Sequence, residues 1–471
     1  MTQLGSHARV FFAGREAQHK VRIAQSSANR EHAAVHNPSC TAPSKHPETG
    51  PVYNTFRLTV TISRRDTVGL PGGLIATTTP VWDQFLLKGM FWLAVATVLY
   101  VYVMYPIVVW LLARRRADHA DSSAPSATST PFSVVLAVHD EAPRIRTRLD
   151  ELVALITATG RTAEVIVVAD GCTDDTAALA RSHPSSLVRV IELAENAGKA
   201  QALSLGCAAA TGDVLVFADA RQRWAADSLQ RLLESFDRPE VGAVSGELSI
   251  EAGPGVLAGV GLYWRYEKWL RRNEGRLHSM IGVSGSVCAV RRELFRPIPR
   301  GLLLDDLYWP LQVAMQGRRV AYEERAIVYD RLPRHVAHEF RRKVRTLSGN
   351  LQLVAMLPQA LLPWRNPVWV QFVSHKLLRL VVPWMLVAML LTSSLLEAPF
   401  YRAAFVGQLL FYALALVALA SGSGLRWRVA TAAASFLVLN AAAWVAFWVW
   451  LCGRAGGAWK KTAYDPPVSP D

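Results

Sequence analysis

Residues 164–176 read EVIVVADGCTDDT, and this stretch decides the fold. Val165 to Ala169 is an unbroken, mostly β-branched apolar run, with none of the polar alternation of a strand that has one wet face. It reads as a strand buried on both sides. Asp170 ends the run and Gly171 permits a tight turn. Thr173 is a candidate helix N-cap, and Asp174 and Asp175 suit the positive end of that helix. A carboxylate at the carboxyl end of a buried strand lies where α/β sheets bind ligands. The same residues serve equally well as ordinary turn and capping chemistry.

The pattern repeats on either side. Ser133–Val138 is a short apolar run followed by helical periodicity over Pro143–Thr157. Leu187–Leu193 follows, then a helix over about Gly198–Ala210, and Asp213–Ala218 makes a fourth strand. Apolar runs separated by helices indicate an α/β domain with a mostly parallel, Rossmann-like sheet covered on both faces.

Chemistry-bearing residues fall at the ends of these elements. Asp219 ends the fourth strand in VFADAR, and a carboxylate there can hold a divalent cation, which prefers oxygen ligands and bridges to phosphates. Capping the next helix is the plainer role. Lys199, in NAGKA, opens a predicted helix where a lysine can neutralise phosphate beside helix N–H groups; a solvated surface lysine looks the same. Asp305 and Asp306 stand together in LLLDDLYWP, where one can act as a general base or cap a helix. Arg341, Arg342, Lys343 and Arg345 in EFRRKVRTL suit phosphate binding and also a basic helix lying on anionic lipid. The aromatic stripe Tyr263, Trp264, Tyr266 and Trp269 reads as a packed helix face, and His335 with His338 as surface.

Beyond this domain the chain turns apolar. The 471 residues are 51% hydrophobic, unusual for a soluble domain. Phe91 to Leu112 is 22 residues without a charge, long enough to span a bilayer core. Arg114, Arg115 and Arg116 follow, which by the positive-inside rule places the next segment in the cytosol. Further apolar stretches occupy Leu380–Leu396, Ala403–Ala420 and Val429–Cys452. The expected plan is a disordered extension over 1–85, a transmembrane helix over 86–116, a linker over 117–131 and an α/β domain over 132–335. Interfacial helices over 336–376, about three transmembrane helices over 377–455 and a tail over 456–471 complete it. One helix before the domain and three after would leave the C-terminus outside, whereas Arg454, Lys460 and Lys461 favour the inside. A re-entrant late segment, or entry of Leu351–Val373 into the membrane, would resolve that conflict. The polar, aperiodic first 80 residues carry no secretory signal, and a translation start near Met90 would account for them.

The net charge of +14 points to anionic partners; the basic residues are better placed for membrane topology and phosphate than for nucleic acid. Cys40, Cys172, Cys207, Cys288 and Cys452 are scattered, odd in number and without a C-x-x-C pair. That argues against a disulfide framework or structural zinc and fits a reducing compartment.

The order of the motifs is more specific than any one of them. AVHDEA (137–142), DGCTDDT, NAGKAQAL (196–203), ADAR (218–221), GVSGSVCAVRREL (282–294), LLDD (303–306) and RRKVRTL (341–347), followed by membrane helices and AWKKT (458–462), resemble the membrane-bound family 2 glycosyltransferases. That group includes synthases of hyaluronan, cellulose and poly-N-acetylglucosamine. The resemblance covers about Tyr100 to Tyr464 and implies a GT-A fold, a nucleotide-sugar donor carrying UDP, and Mg²⁺ or Mn²⁺. It implies that Ala137, His139, Asp140 and Asp170 line the nucleotide-base pocket and that Lys199 approaches the diphosphate. Asp219 would be the first acid of the metal-binding D-x-D, and Asp306, in the acidic pair with Asp305, the catalytic base. Arg342 and Arg345 would match the Q/R-x-x-R-W motif that clamps the diphosphate.

Two positions depart from the family pattern. Arg221 replaces the second acid of D-x-D, which loosens the cation site and offers a guanidinium to phosphate instead. Thr346 replaces the tryptophan that lies near the acceptor in processive synthases. The implied function is inverting sugar transfer to a glycan or lipid hydroxyl, at the cell membrane with the catalytic domain cytosolic. Single-sugar transfer to a lipid carrier such as polyprenyl phosphate is the alternative. A non-catalytic membrane subunit with a degenerate domain is a third possibility, which Arg221 favours and Asp170, Asp219, Asp305 and Asp306 oppose.

Overall fold

A computed structural model describes residues 81–117, 130–251, 258–331, 336–421 and 428–454. The expected extension up to residue 80, most of the linker, His335 and the tail lie outside the described residues. The first element is a long apolar helix made of α1 (Val81–Leu99), a π turn at Tyr100–Met104, and α2 (Tyr105–Ala117). From Trp82 to Arg116 it is long and apolar enough to cross a membrane, and it begins before the charge-free core at Phe91.

The four strands that the sequence predicts are present within a residue or so: β1 (Phe132–Val138), β2 (Ala163–Asp170), β3 (Val188–Leu193) and β4 (Val214–Ala218). They pair in parallel in the order β3-β2-β1-β4. Every residue of β1 is buried. Its side chains alternate between two cores, Val135 and Ala137 in one and Phe132, Val134, Leu136 and Val138 in the other. Both faces are dry, so the strand reads as a continuous apolar run. Each such side chain contributes about 1.5–3 kcal/mol on burial, enough to exclude polar residues from the run. Helices α3 (Ala142–Thr159) and α4 (Thr176–Arg181) cover one face, and α5 (Lys199–Ala209) covers the other. The helix expected to start near Thr173 starts at Thr176, because the Thr173 N–H and hydroxyl donate to the Asp140 carboxylate instead.

The other half of the sheet is not legible as apolar runs. β5 (Arg223–Trp224), β6 (Val241–Glu251), β7 (Val287–Arg291) and β8 (Arg319–Arg331) extend it to β3-β2-β1-β4-β7-β6-β8-β5. β7 runs antiparallel to β4 and β6, while β6 and β8 pair in parallel through two register shifts. Charged residues such as Glu247 on β6 and Glu323, Glu324 and Arg325 on β8 hide these strands from a periodicity search. Between and after them lie α6 (Ser228–Glu234), α7 (Ala258–Leu277), α8 (Asp305–Met315) and α9 (Val336–Met356).

Among the described residues, the C-terminal region holds three more helices of membrane-spanning length and composition. The first is continuous from Trp369 to Leu395 and comprises α10 (Trp369–Gln371), a π turn at Phe372–Leu377, and α11 (Leu378–Leu395). It begins before the expected Leu380, so Trp369–Val373 belongs to this span rather than to a separate one. α12 (Pro399–Ala420) and α13 (Arg428–Leu451) follow. α2 packs on α7, and α13 packs on α7 and α9, so the α/β domain meets the apolar helices through α7 and α9. The stripe residues Tyr266 and Trp269 are part of that packed face, in ring contact with each other and with the Tyr266 hydroxyl donating to the Tyr102 carbonyl.

Candidate functional site

Because β1, β2 and β4 are parallel, the residues that end them share one edge of the sheet. Asp140 follows β1, Asp170 closes β2 and Asp219 follows β4. β7 is antiparallel to β4 with Val287 opposite Ala218, so the loop before β7 meets the same edge. Gly285 in that loop has the Lys199 Nζ and the Asp306 Cβ within 4 Å of where its own Cβ would stand. The backbone N–H of Val283 donates to the Asp306 carbonyl at 2.9 Å, which fixes the start of α8 to the loop. Residues scattered from 140 to 306 thus converge.

At the β4 end, Lys199 donates to Asp219 Oδ1 at 2.8 Å, with about a quarter of each side chain exposed. Burial disfavours the ammonium, but the carboxylates of Asp219, Asp305 and Asp306 outweigh it and raise the Lys199 pKa. Burial, and then the neighbouring Asp305 charge, push Asp306 up to about 6 against the pull of Arg271, Lys199 and Lys376. A carboxyl that titrates near neutrality can take a proton from a substrate.

At the β2 end, Asp170 is fully buried and its two carboxylate oxygens accept the N–H groups of Ala197 and Gly198, at 2.7 and 2.8 Å. It therefore ties down the loop that launches α5 and Lys199. Gly171 has φ +56°, and a Cβ there would stand 2.2 Å from Asn196 N; only glycine lets the two loops touch. His139 Nδ1 lies 2.7 Å from the Asp170 carbonyl, and Asn196 donates to His139 Nε2 at 3.2 Å. Ala137 is buried within β1. Asp140 sits at φ 54°, and the N–H of Thr173 holds its carboxyl below the usual range. His139, Asp140 and Cys172 bring ligand atoms within 4.8 Å of one another. The Asp140 oxygens already accept hydrogen bonds from Thr173 and Asp174, so this cluster is a tied turn rather than a cation cage.

Arg221 points elsewhere: its Nη2 donates to Asp330 Oδ2 on β8 at 2.7 Å, and Gln222 donates to the same oxygen at 3.1 Å. Sequence reasoning missed Asp330, which lies in no motif, and the Arg271 and Lys376 charges beside Asp306. Arg342 and Arg345 are exposed on α9. The spacing 342, 345, 349, 352 forms one helical stripe. Its last two members meet the segment before Asp305: Gly349 leaves room for Leu304, and Gln352 accepts from Leu303 N at 3.0 Å and donates to Gly301 O at 2.9 Å. The structure brings Gly349 and Gln352, not the exposed arginines, into contact with the segment before the acidic pair.

Residues 133–298 match the family described as Glycosyl transferase family 2. A dolichyl-phosphate beta-glucosyltransferase of Drosophila melanogaster is 37% identical over 107 residues, covering 21% of this chain and 33% of that protein. A poly-beta-1,6-N-acetyl-D-glucosamine synthase of Staphylococcus aureus is 23% identical over 230 residues, covering 47% of this chain and 55% of that protein. The chain thus spans between a third and just over half of the length of these curated relatives. A mannosyltransferase from Pyrobaculum calidifontis, solved in complex with GDP-Man and Mn²⁺, superposes with a TM-score of 0.60 at 22% identity, over 78% of this chain and 99% of that one. That likeness is one of fold, and the sheet is the GT-A arrangement that the motifs imply.

Proposed function

We propose that this chain, which carries a family 2 glycosyltransferase domain, transfers a sugar from a nucleotide-sugar donor to a hydroxyl acceptor at the membrane, with inversion at the anomeric carbon. The observation that carries this reading is the Lys199–Asp219 ion pair, whose ammonium meets Asp306 over Gly285. A cation and a carboxyl that titrates near neutrality, meeting over one small loop, are what a displacement of nucleoside diphosphate needs.

Asp306 takes the proton of the acceptor hydroxyl. The oxygen attacks the anomeric carbon as its bond to the diphosphate breaks, and Lys199 with Arg345 faces the charge that develops on the leaving group. Burial first, and then like-charge repulsion from Asp305, keep the Asp306 carboxyl basic. A divalent cation would be held by Asp219, whose carboxylate stands at the end of β4 beside Lys199. Mg²⁺ or Mn²⁺ held there would neutralise leaving-group charge. His139, Asp140 and the Asp170 loop would form the wall of the nucleotide-base pocket. UDP-sugars are the first donors to test; GDP-mannose is the second, because the structural neighbour was solved with GDP-Man. Arg114, Arg115 and Arg116 in the last turn of α2 favour a cytosolic active domain.

The test is a screen of radiolabelled nucleotide sugars on membranes containing the protein, with the products sized. A ladder of lengths supports polysaccharide synthesis. A single glycolipid supports transfer to a polyprenyl-phosphate carrier, the reading that Thr346 and the dolichyl-phosphate relative favour. Incorporation with none of the donors overturns both.

A further inference from the structure

Where the α/β domain meets the apolar helices, charged side chains are buried that the proposed chemistry does not use. His375 is 1% exposed, Glu274 0% and Glu267 5%. His375 Nε2 lies 2.8 Å from Glu267 Oε1, and Nδ1 lies 2.9 Å from Glu274 Oε1. Both carboxylates accept from other donors as well: Tyr105 donates to Glu274, and Arg379 donates to Glu267 at 2.8 Å. Each ring nitrogen of His375 thus faces a carboxylate from α7, and the imidazole bridges Glu267 to Glu274. Intramembrane ionisable groups are costly, and they persist where they serve a function.

The two π turns of the membrane helices meet at this cluster. Tyr100, which opens the first, bonds to Ser374 in the second at 2.8 Å, and Tyr105 immediately follows the first. π turns concentrate at functional sites. From Glu267 the cluster continues to Lys376 at 3.4 Å and Arg271 at 3.8 Å, and the charges of Arg271 and Lys376 both act on the Asp306 carboxyl. The groups facing His375 are Glu267, Arg271 and Glu274 from α7, Tyr105 from α2, and Lys376 and Arg379 from its own helix; Tyr102, which faces Asn440 on α13, lies next to Arg379.

We propose that His375 is a positioning residue for sugar transfer: its imidazole, held between Glu267 and Glu274, clamps the π turns of both membrane helices onto α7 and thereby fixes Arg271 and Lys376 on Glu267, from where their charges reach Asp306. The inference rests on Asp306 being the base.

The test uses the full-length protein in lipid nanodiscs with whichever donor the screen identifies. His375→Gln keeps roughly the size and one hydrogen bond but no longer presents a ring nitrogen to each glutamate. Expected are a kcat reduced about tenfold or more through misplacement, a donor KM within about twofold of wild type because the Lys199–Asp219 end is untouched, and an acid limb of the rate profile moved to higher pH. Tyr105→Phe, which removes one hydroxyl contact, should move the acid limb the same way by less, and it carries the test if His375→Gln does not fold. Unchanged kcat and acid limb in whichever of the two folds overturn the proposal. A loss confined to donor KM overturns it equally. Asp306→Asn run in parallel separates the two claims: normal turnover in that variant removes the base assignment itself.

Discussion

Arg221 Nη2 lies 2.7 Å from Asp330 Oδ2, joining the position two residues beyond Asp219 to the far end of the sheet. The guanidinium that replaces the family's second acid is thus bound to a carboxylate from β8 and turned away from Lys199. Asp330 is 11% exposed in its side chain. Arg221→Ala should leave that carboxylate with weaker compensation and cost about 1–3 kcal/mol in thermal melts. Arg221→Asp should cost more, because it sets two acids face to face. The double exchange Arg221→Asp with Asp330→Arg should recover part of the loss, and no recovery would show that the pair is not the source of the effect.

Asp306 must be ionised to accept a proton, and its pKa stands at about 6. Activity should therefore fall about tenfold per pH unit below that value, read as kcat/KM against pH. Its folded pKa is raised above the usual 3.8. The native state then holds a proton that the unfolded chain has lost, and this group's contribution to stability declines as pH rises from about 4 to about 6. Asp306→Asn should abolish transfer, bind donor normally and melt higher than wild type at pH 7.5, with the gain shrinking towards pH 4.

Lys199 should matter to donor affinity before anything else. Lys199→Gln removes the cation that faces the diphosphate and should weaken donor binding by about 10–100-fold, in line with the ~1.5–3 kcal/mol of a charged hydrogen bond. Isothermal titration with the donor and Mn²⁺ measures it. An unaltered Kd would place the diphosphate elsewhere.

Chelation should stop transfer if Asp219 anchors a cation. EDTA followed by Mg²⁺ or Mn²⁺ should remove and restore activity in the wild type. Asp219→Ala should raise the metal concentration needed at least about tenfold, as loss of the only carboxylate of a single-acid site does. Full activity in EDTA would assign charge neutralisation to Lys199 and the arginines alone.

Asp170 should show up in stability. Asp170→Ala leaves the N–H groups of Ala197 and Gly198 without their acceptor, at about 1–3 kcal/mol each if they stay dry. Gly171→Ala should fail for a steric reason, since its Cβ would overlap the backbone at Asn196. Melting temperatures of the two variants separate the electrostatic cause from the steric one.

The parallel half of the sheet was legible in the sequence because its chemistry is local. A strand dry on both faces has to be an apolar run, so β1 to β4 announce themselves, and acids placed after such runs mark the ligand edge. The other half of the sheet was not legible, because β6 and β8, which pair in parallel with each other, carry charge on their wetter positions. Thr173 was misread for a similar reason: it can cap a helix, but Asp140, thirty-three residues earlier, competes for its N–H and hydroxyl.

By itself the sequence determined an α/β domain between apolar helices, and it located the residues able to carry charge: Asp170, Lys199, Asp219, Asp305 and Asp306. Only the tertiary structure decided what those residues face. It bound Lys199 to Asp219, gave Asp170 to the backbone of the α5 loop, turned Arg221 to Asp330, and closed His375 between two glutamates on another helix. Local sequence sets which side chains must be dry and which can ionise, because burial and backbone hydrogen bonding act within a few residues. The partner of a charge is set by which elements pack together, and that contact is made between residues far apart in the chain.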